Sequence, residues 1–205
     1  MNKRLVSEGY NKIARRYSLS RNQFESLKYL EKLNSLLKPN SRILDLGCGA
    51  GKPVDEFFIN HGHKIIGIDI SSEQIRLAKK NIPAGLFKLK DITALKENEF
   101  EVEAVVSFYT IFHLPRKKHQ KLFKIINSFL RTSGLLLVTM GASDWEGIED
   151  FYKTQMYWSH HGPEKNRKII EEAGFEIIFD KIDTSGGEKH QIILARKLPP
   201  RHKSE

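Results

Sequence analysis

The chain has 205 residues, 40% of them hydrophobic and 29% charged, which is enough for one sizeable core without disulfide or metal support. A single cysteine, Cys48, excludes a disulfide framework and a multi-cysteine metal site, and we expect no metal. The apolar runs are too short to cross a bilayer, and no secretory apolar region follows the basic start. We therefore expect a cytoplasmic protein without a membrane partner. The formal net charge of +9 is spread along the chain, so it keeps a nucleic-acid partner possible without favouring one.

The first 38 residues have a helical pattern, in which leucines recur from Leu27 to Leu37 until Pro39–Asn40 ends the run. After residue 40, short apolar runs alternate with amphipathic stretches. The runs predict strands at 42–46, 64–70, 84–92, within 102–112 and at 134–140. Helices are predicted at 71–81, with Ser71 as the N-cap, at 118–130, and at 163–174, with Gly174 as the stop.

The last part of the chain predicts an antiparallel pair of strands. Two apolar stretches, at 175–183 and 188–197, are separated by the short turn Thr184-Ser185-Gly186-Gly187. A β-α alternation that ends in such a hairpin indicates an α/β fold with a doubly wound, mainly parallel sheet. In these sheets ligands bind outside the carboxyl ends of the strands.

A glycine-rich loop follows the first predicted strand and reads Asp45-Leu46-Gly47-Cys48-Gly49-Ala50-Gly51-Lys52-Pro53. Its glycines allow positive φ angles and a close approach of the main chain to a ligand. The spacing fits neither the dinucleotide fingerprint, whose third glycine falls on Lys52 or Val54, nor a Walker loop. The leading acid, Asp45, suits a cationic group such as an ammonium better than a pyrophosphate.

The glycine loop and four later segments occur in the order found in class I S-adenosylmethionine (SAM) dependent methyltransferases, a family that the chain resembles over most of its length. These segments are IIGIDIS with Asp69, KLKDI with Asp91, VVSFYTIFHL and GLLLVTM. The resemblance implies a seven-stranded Rossmann-like sheet and SAM as the cofactor. It also implies that the loop holds the amino-acid part, Asp69 the ribose hydroxyls and Asp91 the adenine amino group. The full set of expected cofactor residues is Tyr10, Tyr17, Asp45, Gly47, Cys48, Gly49, Asp69, Ile70, Asp91, Ile92 and Ser107.

Three segments are expected to form the acceptor side. In similar enzymes a segment like YNKIARRY folds over SAM as a lid, which brings in Tyr10 and Tyr17. The second segment is the exit of the fourth strand, with Ser107, Tyr109, Phe112 and His113. The third is the aromatic-rich connection 142–162. The candidate catalytic residues are His113, His160 and Tyr157.

The expected function is methyl transfer from SAM to a small-molecule acceptor by in-line displacement, in one domain spanning 1–205. Its parts are a lid segment (1–38), a core (39–198) that carries the aromatic insertion (142–162), and a flexible tail (199–205). The fourth strand lacks the N/D-P-P-Y/W signature of enzymes that methylate nucleic-acid amino groups, although an RNA acceptor stays open. A SAM-binding sensor or scaffold without transferase activity is a further alternative. The acceptor, the methylated atom, the need for a base and the oligomeric state are left open.

Overall fold

The computed structural model describes residues 2–20, 27–185 and 187–199. Its helices are α1 Asn2–Ser20, α2 Leu27–Asn34, α3 Val54–Asn60, α4 Ser72–Asn81, α5 His119–Phe129 and α6 Pro163–Glu172. Its strands are β1 Arg42–Leu46, β2 Lys64–Asp69, β3 Leu86–Leu89, β4 Val102–Ser107, β5 Leu130–Gly141, β6 Trp145–Phe151, β7 Thr154–His160, β8 Phe175–Asp183 and β9 His190–Lys197. None of the helices within these ranges is long and apolar enough to cross a membrane.

Seven strands form one sheet in the order β3-β2-β1-β4-β5-β9-β8. The pairs among β1 to β5 are parallel, whereas β9 runs antiparallel to both β5 and β8. The predicted fold class, a mainly parallel doubly wound sheet with an antiparallel C-terminal hairpin, is confirmed. The chain reverses its direction of winding between β1 and β4, and this switch point is where a ligand crevice is expected.

Apolar side chains fill both faces of this sheet because its inner strands are covered by helices on either side. One core contains Phe123 and Phe129 of α5, and the other contains Leu30 of α2 and Phe58 of α3. A third and smaller apolar cluster lies apart from the sheet, where α1 packs against β7. Of the segment expected to form the lid, α1 therefore packs in this separate cluster, whereas α2 belongs to a core of the sheet.

Several predicted boundaries are confirmed by the local hydrogen bonds. The Ser71 hydroxyl accepts a hydrogen bond from the Gln74 N–H at 3.2 Å and so caps α4. Gly174 follows α6 with a φ of 90°, as a helix stop requires. The helix predicted up to Pro39 ends instead at Asn34, after which a turn continues to residue 37. The central glycine of the predicted hairpin turn, residue 186, and most of the tail, 200–205, lie outside the described residues.

The aromatic-rich connection 142–162 contains two strands that its sequence pattern did not predict. β6 and β7 pair antiparallel from Trp145–His160 to Phe151–Thr154 and form a separate two-stranded sheet. Tyr152 and Lys153 make the turn with φ angles of 53° and 63°. Such turns usually carry Asn or Gly, because few other residues adopt positive φ readily, and so the sequence lacks the usual hairpin signal.

Candidate cofactor and acceptor site

A cavity of about 280 Å³ lies at the carboxyl ends of the central strands, beneath α1. Most of the residues expected to bind the cofactor line it, and so does one candidate catalytic residue. These residues are Tyr10, Tyr17, Asp45, Gly47, Cys48, Gly49, Asp69, Ile70, Asp91, Ile92 and His113. The fold thus brings together groups from α1, the glycine loop, and the segments after β2, β3 and β4.

The glycine loop is held close to the segment that follows β4. Gly47 and Gly49 have φ angles of 83° and 54°, a backbone region that other residues rarely adopt. A Cβ atom on Gly47 would lie 1.9 Å from the Thr110 hydroxyl, whereas one on Gly49 would have no neighbour closer than 3.8 Å. Gly47 is therefore required by packing, and Gly49 leaves open space at the cavity wall.

The Asp69 carboxylate lies at the end of β2 and faces the cavity. One of its oxygens accepts from the Gly49 N–H at 3.0 Å and the other from the Ser71 N–H at 2.8 Å. Burial raises the pKa of Asp69 to about 6, although these two N–H donors oppose the shift. The carboxylate is thereby fixed in place, and its remaining lone pairs can accept hydroxyl donors from a ligand.

Asp45 lies beside a second buried acid, Asp55 of α3. The two residues are 2% and 0% exposed. The pKa of Asp55 is raised well above its usual value by burial and by the neighbouring charge of Asp45. Burial, with help from the nearby acids, also raises the pKa of the Cys48 thiol, which is therefore not a reactive nucleophile.

Asp91 lies after β3 and caps the short helical turn Ile92–Ala94. Its carboxylate accepts from the Thr93 N–H at 2.8 Å and pairs with the Lys3 ammonium of α1 at 3.4 Å. Partial burial opposes ionisation, but these hydrogen bonds and the Lys3 charge lower the pKa of Asp91. The acid is thus an anion that already links the third strand to the lid.

His113 lies between the lid helix and the β6–β7 hairpin. Its Nδ1 is 2.7 Å from the Tyr157 carbonyl oxygen and its Nε2 is 2.8 Å from the Tyr10 hydroxyl. A carbonyl can only accept, so Nδ1 carries the proton, and Nε2 accepts the hydrogen bond from Tyr10. Burial lowers the pKa of His113 to about 4, so the ring is neutral at physiological pH. It is placed to hold a tyrosine rather than to take up a proton.

Three predicted site residues do not line the cavity. Ser107, the last residue of β4, is fully buried. Its hydroxyl donates to the carbonyl of Leu46 on the neighbouring strand β1 at 2.8 Å. The Tyr157 hydroxyl donates to Glu146 at 2.5 Å across the hairpin, and only its carbonyl reaches His113. The His160 ring bonds to the Ser143 carbonyl. We assign no cofactor or catalytic role to these three side chains.

Gln74 of α4 lines the cavity but was not predicted as a site residue. Its side chain is 1% exposed, and neither its amide nitrogen nor its amide oxygen has a hydrogen-bond partner among the described residues. An unpaired buried amide costs free energy unless a ligand satisfies it. The α4 pattern SSEQIRLAKKN gives only an amphipathic helix, so this role is visible in the structure alone.

Two further residues, Tyr109 and Lys118, also line the cavity. Tyr109, expected on the acceptor side, lines it with a φ of 56°, a strained conformation for a residue other than glycine. Lys118 lies at its edge. Within the ranges that the structure describes, no group of three or more His, Cys, Asp or Glu side chains could hold a metal ion.

The donor and acceptor groups around the cavity fit SAM. Asp69 offers a fixed carboxylate for a ribose diol, Asp45 a buried carboxyl group for an ammonium, and Gln74 an unsatisfied amide. Gly49 leaves the space that a Cβ would reduce. The cavity therefore has the polar groups that an amino-acid nucleoside requires.

Comparison with known proteins supports the same class. A family model described as a methyltransferase domain matches residues 43–134. Over 160 residues, 74% of this chain, the sequence is 29% identical to phosphoethanolamine N-methyltransferase 1 of Zea mays. The magnesium protoporphyrin IX methyltransferase of Synechocystis PCC 6803, with bound S-adenosylhomocysteine (SAH), superposes with a TM-score of 0.74 at 15% identity. That match covers 96% of this chain and 100% of the other.

Residues 43–134 thus match a methyltransferase domain, and most of the chain has the fold of solved SAM-dependent methyltransferases. The same fold occurs in the [4+2]-cyclase SpnF, with a TM-score of 0.77, 15% identity and 97% of each chain covered. This chain spans only 28% to 46% of the length of the first three curated relatives that it matches. The fold is thus defined, whereas the activity and acceptor have to be argued from the site.

Proposed function

We propose that this chain is a SAM-dependent methyltransferase with a small-molecule acceptor, folded as a single domain. The observation that carries the proposal is the cavity beneath α1, which Asp69 and Asp45 line. A cytoplasmic location, predicted from the sequence, belongs to the proposal as well.

Different residues would bind different parts of the cofactor. Asp69 would accept the ribose hydroxyls, and Asp45, with the glycine loop, would hold the amino-acid part. Asp91 and Ile92 line the cavity at the end of the third strand, where an adenine ring would lie. Tyr10 and Tyr17 of α1 close the site from above.

The cofactor supplies an activated methyl group on a sulfonium, so the acceptor nucleophile needs mainly correct placement. The chain provides this placement by excluding water and fixing the acceptor in line, which contributes several kcal/mol to rate acceleration. Tyr10 of α1 and Tyr109 after β4 are among the polar side chains that line the cavity. The neutral His113 orients the Tyr10 hydroxyl rather than acting as a base itself.

The size of the cavity favours a small acceptor. Its volume of about 280 Å³ is just below the range of about 300 to 1,000 Å³ that is usual for small-molecule sites. Tyr17, which lines the cavity, also packs against Phe151 and Tyr152, and the three ring centroids lie 4.8 to 6.2 Å apart. A nucleic-acid strand that entered the cavity beside Tyr17 would have to disturb this aromatic cluster, and so an RNA acceptor is the weaker alternative.

A SAM-binding sensor or scaffold is the second alternative, because the fold alone does not define activity. The first test is a calorimetric titration with SAM, SAH and NADH. We expect both sulfur compounds to bind and NADH not to bind. Failure of a folded protein to bind SAH would contradict the proposal.

A labelled-methyl assay then separates the transferase from the sensor. Metabolite extracts and total RNA are incubated separately with the protein and methyl-labelled SAM. Label in small molecules supports the proposal, label in RNA supports the first alternative, and binding without transfer in either fraction supports the sensor.

A further inference from the structure

One face of α1 carries three polar residues at a spacing of four, Lys3, Ser7 and Asn11, which lie one above the other on a helix. All three contact segments that carry the nucleoside half of the cavity. Lys3 pairs with Asp91 at 3.4 Å, and the Ser7 hydroxyl donates to the Ile70 carbonyl at 3.0 Å. The contacts of Asn11 are the most extensive.

The Asn11 side-chain oxygen accepts hydrogen bonds at the start of α4. The Ser71 hydroxyl donates to it at 2.6 Å, and the Glu73 N–H lies 3.3 Å away. The Ser72 hydroxyl is also within reach, at 3.4 Å. The amide oxygen of a lid residue therefore serves as a second cap for the helix that follows β2.

This contact continues directly to the expected ribose carboxylate. Ser71 is fully buried, and its N–H donates to an Asp69 oxygen at 2.8 Å while its hydroxyl donates to Asn11. Resting on the proposed function, we propose that Asn11 is a positioning residue that couples closure of α1 to ribose recognition by Asp69. Asn11 acts through Ser71 and touches neither the methyl group nor the acceptor.

The coupling has a simple physical basis. When α1 is docked, Asn11 fixes the Ser71 hydroxyl. Ser71 then keeps the orientation in which its N–H donates to Asp69. When α1 is displaced, water replaces Asn11 at the Ser71 hydroxyl and at the Glu73 N–H, and the start of α4 gains freedom. A ligand that needs a fixed Asp69 consequently binds best to the closed lid.

The experiment measures the affinity for SAH and for 5′-methylthioadenosine, which keeps the nucleoside and lacks the amino-acid part. Asn11→Leu should weaken both ligands about tenfold, because one or two hydrogen bonds are lost. Asn11→Asp keeps the accepting oxygen next to the N-terminus of α4 and should retain affinity within about twofold. Arg4→Ala, on the exposed face of the same helix where Arg4 pairs with Glu8, is the matched control and should change neither affinity.

A double-mutant cycle with Asp69→Asn separates positioning from a general weakening of the lid. If Asn11 acts through Asp69, Asn11→Leu should add less than about twofold in the Asp69→Asn background. Equal loss in both backgrounds, or no loss in Asn11→Leu alone, would overturn the inference. The proposed function is tested by a different result, namely whether the folded wild-type chain binds SAH. Its failure can therefore be distinguished from failure of the Asn11 inference.

Discussion

The Tyr10 hydroxyl lies 2.8 Å from His113 Nε2, although the two residues are 103 positions apart in the chain. Their rings meet edge to face with centroids 5.3 Å apart. The second ring nitrogen of His113 is fixed by the Tyr157 carbonyl. A single histidine thus joins the lid helix to the β6–β7 hairpin beside the cavity.

Tyr10→Phe removes this hydrogen bond and keeps the ring. We expect SAH to bind about fivefold more weakly, corresponding to about 1 kcal/mol for one hydrogen bond. Calorimetry measures the change. In a His113→Phe background the tyrosine substitution should cost little more, and two independent, additive losses would contradict the assigned contact.

Binding of SAH should depend on pH through Asp69. Its pKa is raised to about 6, so the folded protein keeps the proton up to a pH at which the unfolded chain has already lost it. This group therefore stabilises the empty protein less as pH rises from about 4 to 6. The ribose hydroxyls need the ionised carboxylate, so SAH affinity should rise about tenfold per pH unit below 6 and level off above it.

Asp69→Asn provides the control for this pH dependence, because it cannot ionise. Its SAH affinity should be lower, and a plot of this affinity against pH should show no break (change of slope) near pH 6. If the break persists, the titrating group is another one, and the buried Asp45–Asp55 pair is the nearest candidate.

Gly47→Ala should destabilise the protein far more than Gly62→Ala. Both glycines have similar φ angles, 83° and 80°, so backbone strain costs each variant about 1 kcal/mol. Only at Gly47 would the new Cβ meet Thr110, while at Gly62 nothing lies within 4 Å. We expect a total loss of about 3 kcal/mol for Gly47→Ala in denaturant unfolding. Partial recovery in Gly47→Ala with Thr110→Ala identifies the clash, and equal losses at the two glycines would contradict it.

Gln74→Leu should separate stability from binding. The buried amide has no partner among the described residues, so an apolar side chain of similar size should leave the melting temperature of the empty protein unchanged or raise it. SAH affinity should fall about tenfold.

Gln191→Leu is the matched control for Gln74→Leu. Its buried amide bonds to Asp180 at 2.8 Å and to Asn166 at 2.9 Å, so this change should lower stability without affecting SAH. A Gln74→Leu variant that melts lower and binds SAH normally would show that the amide has only a structural role.

The sequence predicted the sheet and most of the residues that line the cavity from local patterns and from the family resemblance. Strand runs, the Ser71 cap and the glycine loop are each specified by a few neighbouring residues. Asp69 and Asp91 at the ends of β2 and β3 were assigned through the resemblance to class I SAM-dependent methyltransferases, and parallel strands bring their carboxyl ends to one edge. These predictions needed no knowledge of long-range packing.

The acceptor half was harder to predict because its side chains are oriented by tertiary contacts. Tyr157 and His160 belong to a hairpin whose turn, Tyr152–Lys153, has no hairpin signal in its sequence. Because β6 and β7 were not predicted, the sequence could not show which face of the hairpin each side chain occupies. The contact between the Tyr157 hydroxyl and Glu146 could therefore not be inferred. Gln74 was missed for a related reason, since an unsatisfied amide can be recognised only when its surroundings are known.

The packing of α1 against β7 affects how the protein can fold during its synthesis on the ribosome. Val6 and Ile13 of α1 bury against Met156 and Tyr157, which are made 143 to 151 residues later. Helix α1 is synthesised before β7, so it lacks this apolar partner until the β6–β7 hairpin has emerged from the ribosome. The cavity beneath α1 can be completed only after the β6–β7 hairpin, against which α1 packs, has been synthesised.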